Sequence, residues 1–570
     1  MIDSHFHLWT EDTSTPEKRA ERADQVREIA DRFGVERICL IGERGESVAE
    51  CREHNRTVAK MTEEHPDLFF GWARANPLWG DESVREFRRA VREDGLVGLK
   101  LYAQAYLDDP EVEPLAEAAV DMGVPIISHV AHRTDGGGRS DIPRESDSDN
   151  VRALAERFPN LDLISGHIGG GGVWEYRCKN LQDVDNVYLD TSGSVCDAGQ
   201  LEMAVEHLGV DRLLYGTDTW FLPGWGKLAG ADLTADQKAR IAYNMDSLVP
   251  ESTPNKLDPA AVEAGTERAR ELFAAYDRPR EETIVDANAY VGDFPWRHLD
   301  SAAGDVVDVM DREGVDRAVV SSLDAVFYQN PQPGNRELAA ETEELGDGDG
   351  DGDDDGDRLI PFATIDPTYP RWEADLAECI EDLGMRGVRL FPLYHDYPVD
   401  HPAVVELMDA CAEYDVPVMF VAMLEDKRQH HPNWELRDDD ETGNKNWSAD
   451  HADALVDVLQ ASPEVDVVVA NAWTTAEDIV REATTSHPSG VRLDNATRSG
   501  ETLFVLDDLY MYFPYQGEEI VDTVGADRLV TGPRIPLLNV QSHYVYTETV
   551  PVSERERDGI RSGNVLSLLE

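Results

Sequence analysis

The chain opens with the stretch Ile2-Asp3-Ser4-His5-Phe6-His7-Leu8-Trp9, which predicts a short buried strand. Side chains two residues apart in a strand point to the same face, so His5 and His7 are expected to project together. Two imidazoles on one side of a rigid strand supply half of the ligands of a metal site. Two ordinary histidines would look the same, so this interpretation depends on further ligands elsewhere in the chain.

Residues 1–278 alternate short apolar segments with amphipathic ones, a pattern typical of parallel α/β folds. Eight strand–helix repeats without a sheet-edge signal favour a (β/α)8 barrel of the TIM type over an open sheet. In that fold the chemistry lies at the C-terminal ends of the strands. The predicted strands are 2–8, 37–41, 68–75, 96–103, 124–131, 161–168, 186–191 and 212–217.

Polar residues stand at several of these predicted strand ends. His129 lies at the end of strand five, His167 at the end of strand six and Asp218 at the end of strand eight. Together with His5 and His7, they place imidazoles and a carboxylate around one mouth of one barrel. This ligand set suits zinc and similar divalent ions in catalytic sites that keep a position open for water.

Lys100 interrupts the apolar strand Gly98-Leu99-Lys100-Leu101-Tyr102. A lysine inside such a strand costs free energy unless it is paired or modified. Alternatively, its side chain points between the barrel and the helices, with the amine reaching solvent. The sequence leaves both alternatives open.

The order of these motifs resembles that of the amidohydrolase superfamily, in its amidohydrolase-related branch. The motifs are His-x-His at 5–7, Gly-x-Lys-Leu at 98–101, Pro-x-x-x-His at 125–129, Gly-His-x-Gly-Gly at 166–170 and Tyr-Gly-Thr-Asp at 215–218. The resemblance covers essentially all of residues 1–278. The branch holds lactonases and other hydrolases together with decarboxylases, and the first strand looks most similar to the sugar-lactonase members.

The resemblance implies that His5, His7, His129 and Asp218 ligate one divalent metal ion, with zinc preferred and manganese or iron as alternatives. His167 would be the catalytic histidine, which polarises the substrate or stabilises developing oxyanion charge. Asp218 would also orient or deprotonate the water molecule that the metal activates.

The resemblance also bears on residues expected to contact the substrate. In distantly related binuclear members a strand-four lysine is carbamylated and bridges two metals, and Lys100 occupies a similar place. The amidohydrolase-related branch usually works with one metal, so Lys100 is predicted to contact the substrate. Tyr102, His132 and Trp220 lie just beyond strand ends and are predicted to line the substrate pocket.

The leading hypothesis is a hydrolase in which a divalent metal activates water for attack on the carbonyl of a lactone, ester or amide. A small molecule is therefore the expected substrate. One alternative is a metal-dependent nonoxidative decarboxylase that uses the same site. A second alternative, from another class, is a noncatalytic ligand-binding scaffold.

A second copy of this pattern follows the first. The polar, proline-bearing segment 279–282 is predicted to be a linker, and 283–290 repeats the frame of the first strand. Such an internal repeat predicts two tandem barrels that pair within the chain, over 1–278 and 283–570. Further matches are Asn335-Arg336 with Asn55-Arg56, Gly387-Val388-Arg389-Leu390 with Gly98-Leu99-Lys100-Leu101, and Val416-Pro417-Val418 with Val124-Pro125-Ile126.

The second copy keeps the frame but loses the ligands. A fixed cation replaces the only carboxylate of the set, so we expect a degenerate barrel that holds no divalent metal. Alternation of glycine and aspartate at about 345–358 predicts a disordered acidic insertion in it. The replacements are Asn288 for His5, Tyr290 for His7, Val421 for His129, Asn471 for His167 and Arg534 for Asp218.

The net charge is −62, from 114 acidic and 52 basic residues spread along the chain. It argues against nucleic acid and anionic membranes as partners, because both would be repelled. Dispersed acidity with scarce lysine resembles proteins of halophilic archaea, in which molar salt shortens the Debye length to about 3 Å.

The cysteines and the hydropathy pattern bear on location. The six cysteines include no Cys-x-x-Cys pair, which favours reduced thiols in a cytosol. The sequence contains neither a long apolar run nor the pattern of a signal peptide. A cytoplasmic protein is therefore expected, with homo-oligomer formation left open.

Overall fold

The computed structural model describes residues 1–8, 13–132, 144–168, 172–276, 282–346, 358–426, 429, 449–471, 500–506 and 516–569. It divides into two compact units, one of Met1–Arg278 with Asp426–Pro432 and the other of Pro279–Glu425 with Asn433–Glu570. Most of the predicted linker and of the predicted acidic insertion, at 279–281 and 347–357, lies outside the described residues.

The first unit contains eight parallel strands that follow one another in sequence order around a single sheet. The amide of Ser4 donates a 2.8 Å hydrogen bond to the carbonyl of Tyr215, which joins the last strand to the first. The predicted (β/α)8 barrel is confirmed. Its strands are β1 (Ile2–His7), β2 (Arg37–Ile41), β3 (Phe69–Arg74), β4 (Gly98–Leu101), β5 (Ile126–His129), β6 (Leu163–Gly166), β7 (Val187–Asp190) and β8 (Leu213–Leu214).

Helices follow the strands, and local capping explains where several of them begin. The hydroxyl of Thr15 accepts the amide of Lys18 at the start of the first helix, and Asp147 and Asn150 form a capping box at the fifth. The helices are α1 (Pro16–Arg32), α2 (Val48–Glu64), α3 (Asp81–Arg92), α4 (Glu113–Met122), α5 (Ser148–Arg157), α6 (Trp174–Leu181), α7 (Gln200–Leu208), α8 (Phe221–Ala229), α9 (Ala235–Tyr243) and α10 (Pro259–Tyr276).

Strand β1 is irregular beside the histidines that open the chain. Asp3 pairs with Ile38 and Phe6 with Leu40, so three steps along β1 match two along β2. Such a bulge bends a strand and re-aims its side chains, so strict alternation does not hold through His5. Bulges are frequent next to active sites.

The second unit also forms a barrel, confirming the predicted tandem fold. Its strands form two sheets, in the orders β11-β10-β9 and β12-β13-β14-β15-β16-β17. The sheets are joined at Phe362 and Ala363: the backbone amide of Phe362 donates to the carbonyl of Val320, and that of Ala363 donates to the carbonyl of Gly387. The backbone amide of Ala287 donates a hydrogen bond to the carbonyl of Thr531, which joins the last strand to the first and closes the barrel. The strands are β9 (Val285–Val291), β10 (Arg317–Ser322), β11 (Leu359–Pro361), β12 (Ala363–Thr364), β13 (Val388–Leu390), β14 (Val418–Val421), β15 (Val467–Ala470), β16 (Thr502–Val505) and β17 (Leu529–Val530).

The helices of the second unit also alternate with its strands. Those described are α11 (Ala303–Glu313), α12 (Leu323–Phe327), α13 (Gln332–Gly346), α14 (Trp372–Ala377), α15 (Pro402–Tyr414), α16 (Ala449–Ala461), α17 (Gln516–Val524), α18 (Val540–Thr549), α19 (Glu554–Asp558) and α20 (Asn564–Leu566).

The two barrels share details of construction. The side chain of Asn55 bonds both the amide and the carbonyl of Arg74, and that of Asn335 does the same with Thr364. Strand β9 carries the same register irregularity as β1, in this case between the partners of Ala318 and Val320 on β10. The internal repeat therefore extends to buried contacts that hold strands and helices together.

Two further properties concern the whole chain. All six cysteines are buried and carry free thiols. Among the described helices, none has both the length and the apolar character needed to span a lipid bilayer.

Candidate metal centre

Ligand atoms converge at the C-terminal mouth of the first barrel. Oδ1 of Asp218, which follows β8, lies 3.1 Å from Nε2 of His7 and 3.4 Å from Nε2 of His5. The ligand atoms of these three residues all lie within 4.8 Å of one another. Two imidazoles and a carboxylate at this spacing fit the donor set of a divalent ion. The structure thus brings together three of the four predicted ligands.

The backbone is strained where two of the polar residues leave their strands. His167 and Asp218 have φ angles of 66° and 53°, in the left-handed region that side chains with a Cβ rarely adopt. Residues in such conformations concentrate at functional sites, where the surrounding structure holds them in place. The two turns direct both side chains toward the same group of atoms.

Asp190, at the end of β7, contacts His5 and His167 and fixes their orientation. Its Oδ2 lies 2.8 Å from Nδ1 of His5, and its Oδ1 accepts the backbone amides of His167 and Ser192. Burial by itself would raise the pKa of Asp190, but its interactions with His5 and His167 and the hydroxyl of Ser192 bring the pKa below its ordinary value. The carboxylate therefore stays ionised and holds the His5 ring with Nε2 facing Asp218.

The side chain of Lys100 lies inside the barrel and does not point between the barrel and the helices. The residue is 1% exposed, and its amine donates a 2.8 Å hydrogen bond to Nε2 of His5. Burial lowers the pKa of Lys100 to about 7, an effect that Asp218 opposes. The lysine is therefore next to the predicted metal ligands and does not reach solvent between barrel and helices.

The protonation states suit a metal. Burial lowers the pKa of His7 to about 3 and holds that of His167 well below its ordinary value, so both rings are neutral at pH 7. Burial would raise the pKa of Asp218, but His5 and His7 bring it below its ordinary value, and the carboxylate stays charged. Metal ligation needs neutral imidazole and ionised carboxylate.

The catalytic candidate His167 lies beside this group. Its Nδ1 is 3.0 Å from the hydroxyl of Ser192 and 3.4 Å from Oδ2 of Asp218, and its ring centre lies 4.6 Å from that of His5. Ser192 belongs to the strand-seven region, where no site residue was predicted. The contact positions the His167 ring at the edge of the candidate metal centre.

His129 takes a different partner from the other predicted ligands. Its Nε2 lies 2.7 Å from Oε1 of Glu145, and its ring centre is 4.7 Å from both His167 and Tyr102. The ring therefore neighbours the convergent group without contributing to its three ligand atoms. Glu145 was not among the predicted site residues, since no motif in the sequence around it indicates a ligand or a catalytic group.

Two arginines that the sequence analysis also missed flank Tyr102. The guanidinium carbon of Arg44 lies 4.5 Å from the centre of the Tyr102 ring, and that of Arg74 lies 6.0 Å from it. Arg74 is buried and donates through Nε to the carbonyl of Gly42. Burial and the neighbouring Arg44 lower the pKa of Arg74 to about 10. Within the described parts of the chain, neither arginine has a carboxylate partner.

The sequence model of the family described as amidohydrolase matches residues 2–271 and 349–564, one region in each half. The chain belongs to the amidohydrolase family. The two matched regions support the internal repeat. A comparison with proteins of curated function found no match.

Solved structures similar to this amidohydrolase chain include three decarboxylases. A 2,6-dihydroxybenzoate decarboxylase from Rhizobium is 18% identical, with a TM-score of 0.35, and the match covers 44% of this chain and 98% of that one. A dihydroxybenzoic acid decarboxylase from Polaromonas with bound manganese is 18% identical, with a TM-score of 0.34 and coverages of 44% and 97%. A 5-carboxyvanillate decarboxylase from Sphingomonas paucimobilis is 21% identical, with a TM-score of 0.34, and the match covers 40% of this chain and 82% of that one.

The remaining predicted pocket residues of this amidohydrolase have other neighbours. The His132 ring stacks on Tyr176, with centres 4.1 Å apart, and its Nδ1 lies 3.9 Å from Oδ2 of Asp147. Trp220 immediately precedes α8, and its amide donates to the carbonyl of Thr217. Of the four predicted substrate contacts, the structure places Lys100 and Tyr102 next to candidate ligands.

In the second amidohydrolase barrel, the residues at the equivalent positions bind one another or the backbone. The side-chain amide nitrogen Nδ2 of Asn288 donates to Oδ1 of Asn471 at 2.8 Å, and the Tyr290 hydroxyl donates to Oδ1 of Asn288 at 2.8 Å. Nη1 of Arg534 donates to the carbonyl of Leu424. Asn471 and Arg534 keep positive φ angles, 59° and 66°, like their counterparts His167 and Asp218. The backbone is thus retained although the side chains differ.

Proposed function

We propose that the first barrel is a metal-dependent hydrolase that cleaves a lactone, ester or amide. One divalent ion, with zinc preferred and manganese or iron as alternatives, would be held by His5, His7 and Asp218, with His129 as a fourth ligand. The observation that carries the proposal is the position of Asp218, whose Oδ1 lies 3.1 Å and 3.4 Å from the two Nε2 atoms. A divalent ion at such a site lowers the pKa of water and polarises a carbonyl.

The residues around the ligands have separate tasks in this proposal. Asp218 is ionised, and its Oδ2 faces His167 at 3.4 Å, so it can accept the proton of an attacking water molecule. His167, whose orientation Ser192 sets through Nδ1, presents Nε2 to the carbonyl oxygen of the substrate. The single proton of the neutral ring lies on Nδ1, which faces the Asp218 carboxylate and the Ser192 hydroxyl that donates to Asp190. Nε2 would therefore stabilise the oxyanion only after taking up a proton, for example that of the attacking water.

The two arginines indicate the charge of the substrate. The guanidinium groups of Arg44 and Arg74 lie near the Tyr102 ring, whose centre is 4.7 Å from that of His129 at a tilt of 34°. They provide positive charge in a chain of net charge −62. Guanidinium groups pair with carboxylates through two parallel hydrogen bonds, which adds geometric specificity. We infer that the substrate carries a carboxylate group in addition to the bond that is cleaved.

The same arginines favour a second candidate, nonoxidative decarboxylation. That reaction requires a carboxylate substrate, which the two cations would bind, and it involves no attacking water. The carbon that loses CO2 takes up a proton, which Asp218, ionised in the resting site, or the neighbouring His167 would first accept from solvent and then deliver. Product analysis separates the candidates, because only decarboxylation releases CO2.

We further propose that the second barrel has none of this metal chemistry. The hydrogen bonds that join Asn288 to Asn471 and Tyr290 support the proposal, because those groups satisfy one another without an ion. Arg534 adds a positive charge where the first barrel has Asp218, and a cation there would repel a metal ion.

Elemental analysis of the full-length chain, purified in high salt, tests these proposals together. About one zinc, manganese or iron per chain is expected in the wild type, and its loss in His5→Ala. The matched control is Asn288→Ala, the equivalent position of the second barrel, which should keep the metal. A folded wild type without metal would contradict the enzyme proposals and favour a binding scaffold. With metal present, hydrolysis of lactones or release of CO2 from aromatic carboxylates would separate the two reactions.

A further inference from the structure

The position of Glu145 is set by the fold. The residue after it, Ser146, bridges to Val130 in parallel register, and its carbonyl accepts the amide of Ala131. The hydroxyl of Ser146 accepts the amide of Leu107 at 2.9 Å, and the residue is 3% exposed. The chain therefore returns along the extension of β5 and delivers the Glu145 carboxylate to the strand end that carries His129.

The contact between Glu145 and His129 is of the same kind as the contact between Asp190 and His5. Oε1 of Glu145 lies 2.7 Å from Nε2 of His129, and Oδ2 of Asp190 lies 2.8 Å from Nδ1 of His5. In each pair a carboxylate faces one ring nitrogen, which must carry the proton to donate. A neutral imidazole has a single N–H, so the other nitrogen is left with a lone pair. For His5 that nitrogen is Nε2, and for His129 it is Nδ1.

We propose that Glu145 is a positioning residue of the metal site, one that fixes His129 with Nδ1 as the ligating nitrogen. A metal-ligating histidine generally donates its other N–H to a carboxylate or carbonyl, which fixes the tautomer and raises the basicity of the ligand. The inference rests on the proposed function, because it requires a metal in the first barrel. It assigns a role to the loop after β5, from which no ligand was predicted.

The test compares metal affinities of the full-length chain by competition with a chelator, with Zn²⁺ and Mn²⁺ as probes. Glu145→Gln keeps the shape of the side chain but loses its charge, and it should bind metal tenfold to hundredfold more weakly. The control Glu156→Gln removes an exposed carboxylate that pairs with Arg152, and its affinity should equal that of the wild type. The melting temperature of the metal-free Glu145→Gln protein should also equal that of the wild type, which a merely structural role would not allow.

Each outcome has a distinct meaning. Metal binding by Glu145→Gln that is equal to or tighter than that of the wild type would overturn the role of Glu145 alone. No binding by the wild type would overturn the proposed function and the inference with it. If the variant does not fold, nitrogen NMR of the metal-free wild type decides, with the His129 signals assigned from their loss in His129→Gln. A proton on Nε2 of His129 is expected, and a proton on Nδ1 would overturn the proposal.

Discussion

The amine of Lys100 lies 2.8 Å from Nε2 of His5, inside the first barrel and sealed from solvent. By the resemblance of the sequence motifs, this is the strand-four position at which a carbamylated lysine would bridge two metals. Here its nearest ring nitrogen belongs to a histidine whose other nitrogen is held by Asp190. The lysine therefore either contacts the substrate next to a single ion or becomes a ligand itself.

Replacement of this lysine separates those roles. We expect Lys100→Met to keep about one metal per chain and to lower kcat/KM at least tenfold, since a hydrogen bond from a charged donor contributes about 1.5–3 kcal/mol. Metal content and steady-state kinetics of the purified variant are the measurements. A wild type with two metals that falls to one or none in Lys100→Met would show a bridging lysine and contradict the single-ion site.

Arg74→Gln tests the carboxylate on the substrate. KM for an anionic substrate should rise about tenfold to hundredfold, because a charge-assisted hydrogen bond is lost next to Tyr102. For a neutral ester of the same compound, KM should stay close to the wild-type value. Arg27→Gln, which removes an arginine paired with Asp67, is the control and should leave both values unchanged. An equal loss for both substrates would show that Arg74 acts on folding or on the metal site.

The buried carboxyl of Asp286 makes the stability of the second barrel depend on pH. Burial raises the pKa of Asp286 to about 6, although it accepts the backbone amides of Asn288 and Ile535. Because the folded form holds the proton more tightly than the unfolded chain, ionisation destabilises the barrel as pH rises. The full cost, about 3 kcal/mol for a shift of about two units, is reached above pH 6 and disappears near pH 4.

Asp286→Asn removes this titration. The free energy of unfolding of the wild type, measured by urea denaturation, should fall relative to that of the variant between pH 4 and pH 7. A difference that stays constant over this range would mean that the carboxyl has an ordinary pKa in the folded protein.

The charge of −62 predicts stabilisation by salt. Raising KCl from 0.1 M to 1 M shortens the Debye length from about 10 Å to about 3 Å and screens repulsion among the acidic residues. The melting temperature should therefore rise by several degrees over this range. Sucrose stabilises without screening, so the response to KCl should exceed that to sucrose at equal osmolality. Equal responses would contradict a halophilic adaptation.

The sequence alone determined the two barrels and most of the candidate ligands. Strand periodicity and the spacing of strand–helix repeats are local properties, and a barrel brings the C-terminal strand ends to one mouth. His5, His7, His167 and Asp218 could be placed together on this basis, without any distance. The loss of ligands in the second half was visible for the same reason, because the repeat aligns Asn288 with His5 and Arg534 with Asp218.

Only the tertiary structure decided which partners these residues have. Lys100 could face the barrel interior or the helices, and the observed direction follows from packing among neighbouring strands. Glu145 and Arg44 lie in loops whose paths no local pattern specifies, since a loop conformation depends on contacts with residues distant in sequence. Arg74 is the last residue of β3, so its place at the barrel mouth could be inferred from the strand pattern, but its position beside Tyr102 could not. The contact of the Glu145 carboxylate with His129, and those of the two guanidinium groups with Tyr102, are therefore known only from the tertiary structure.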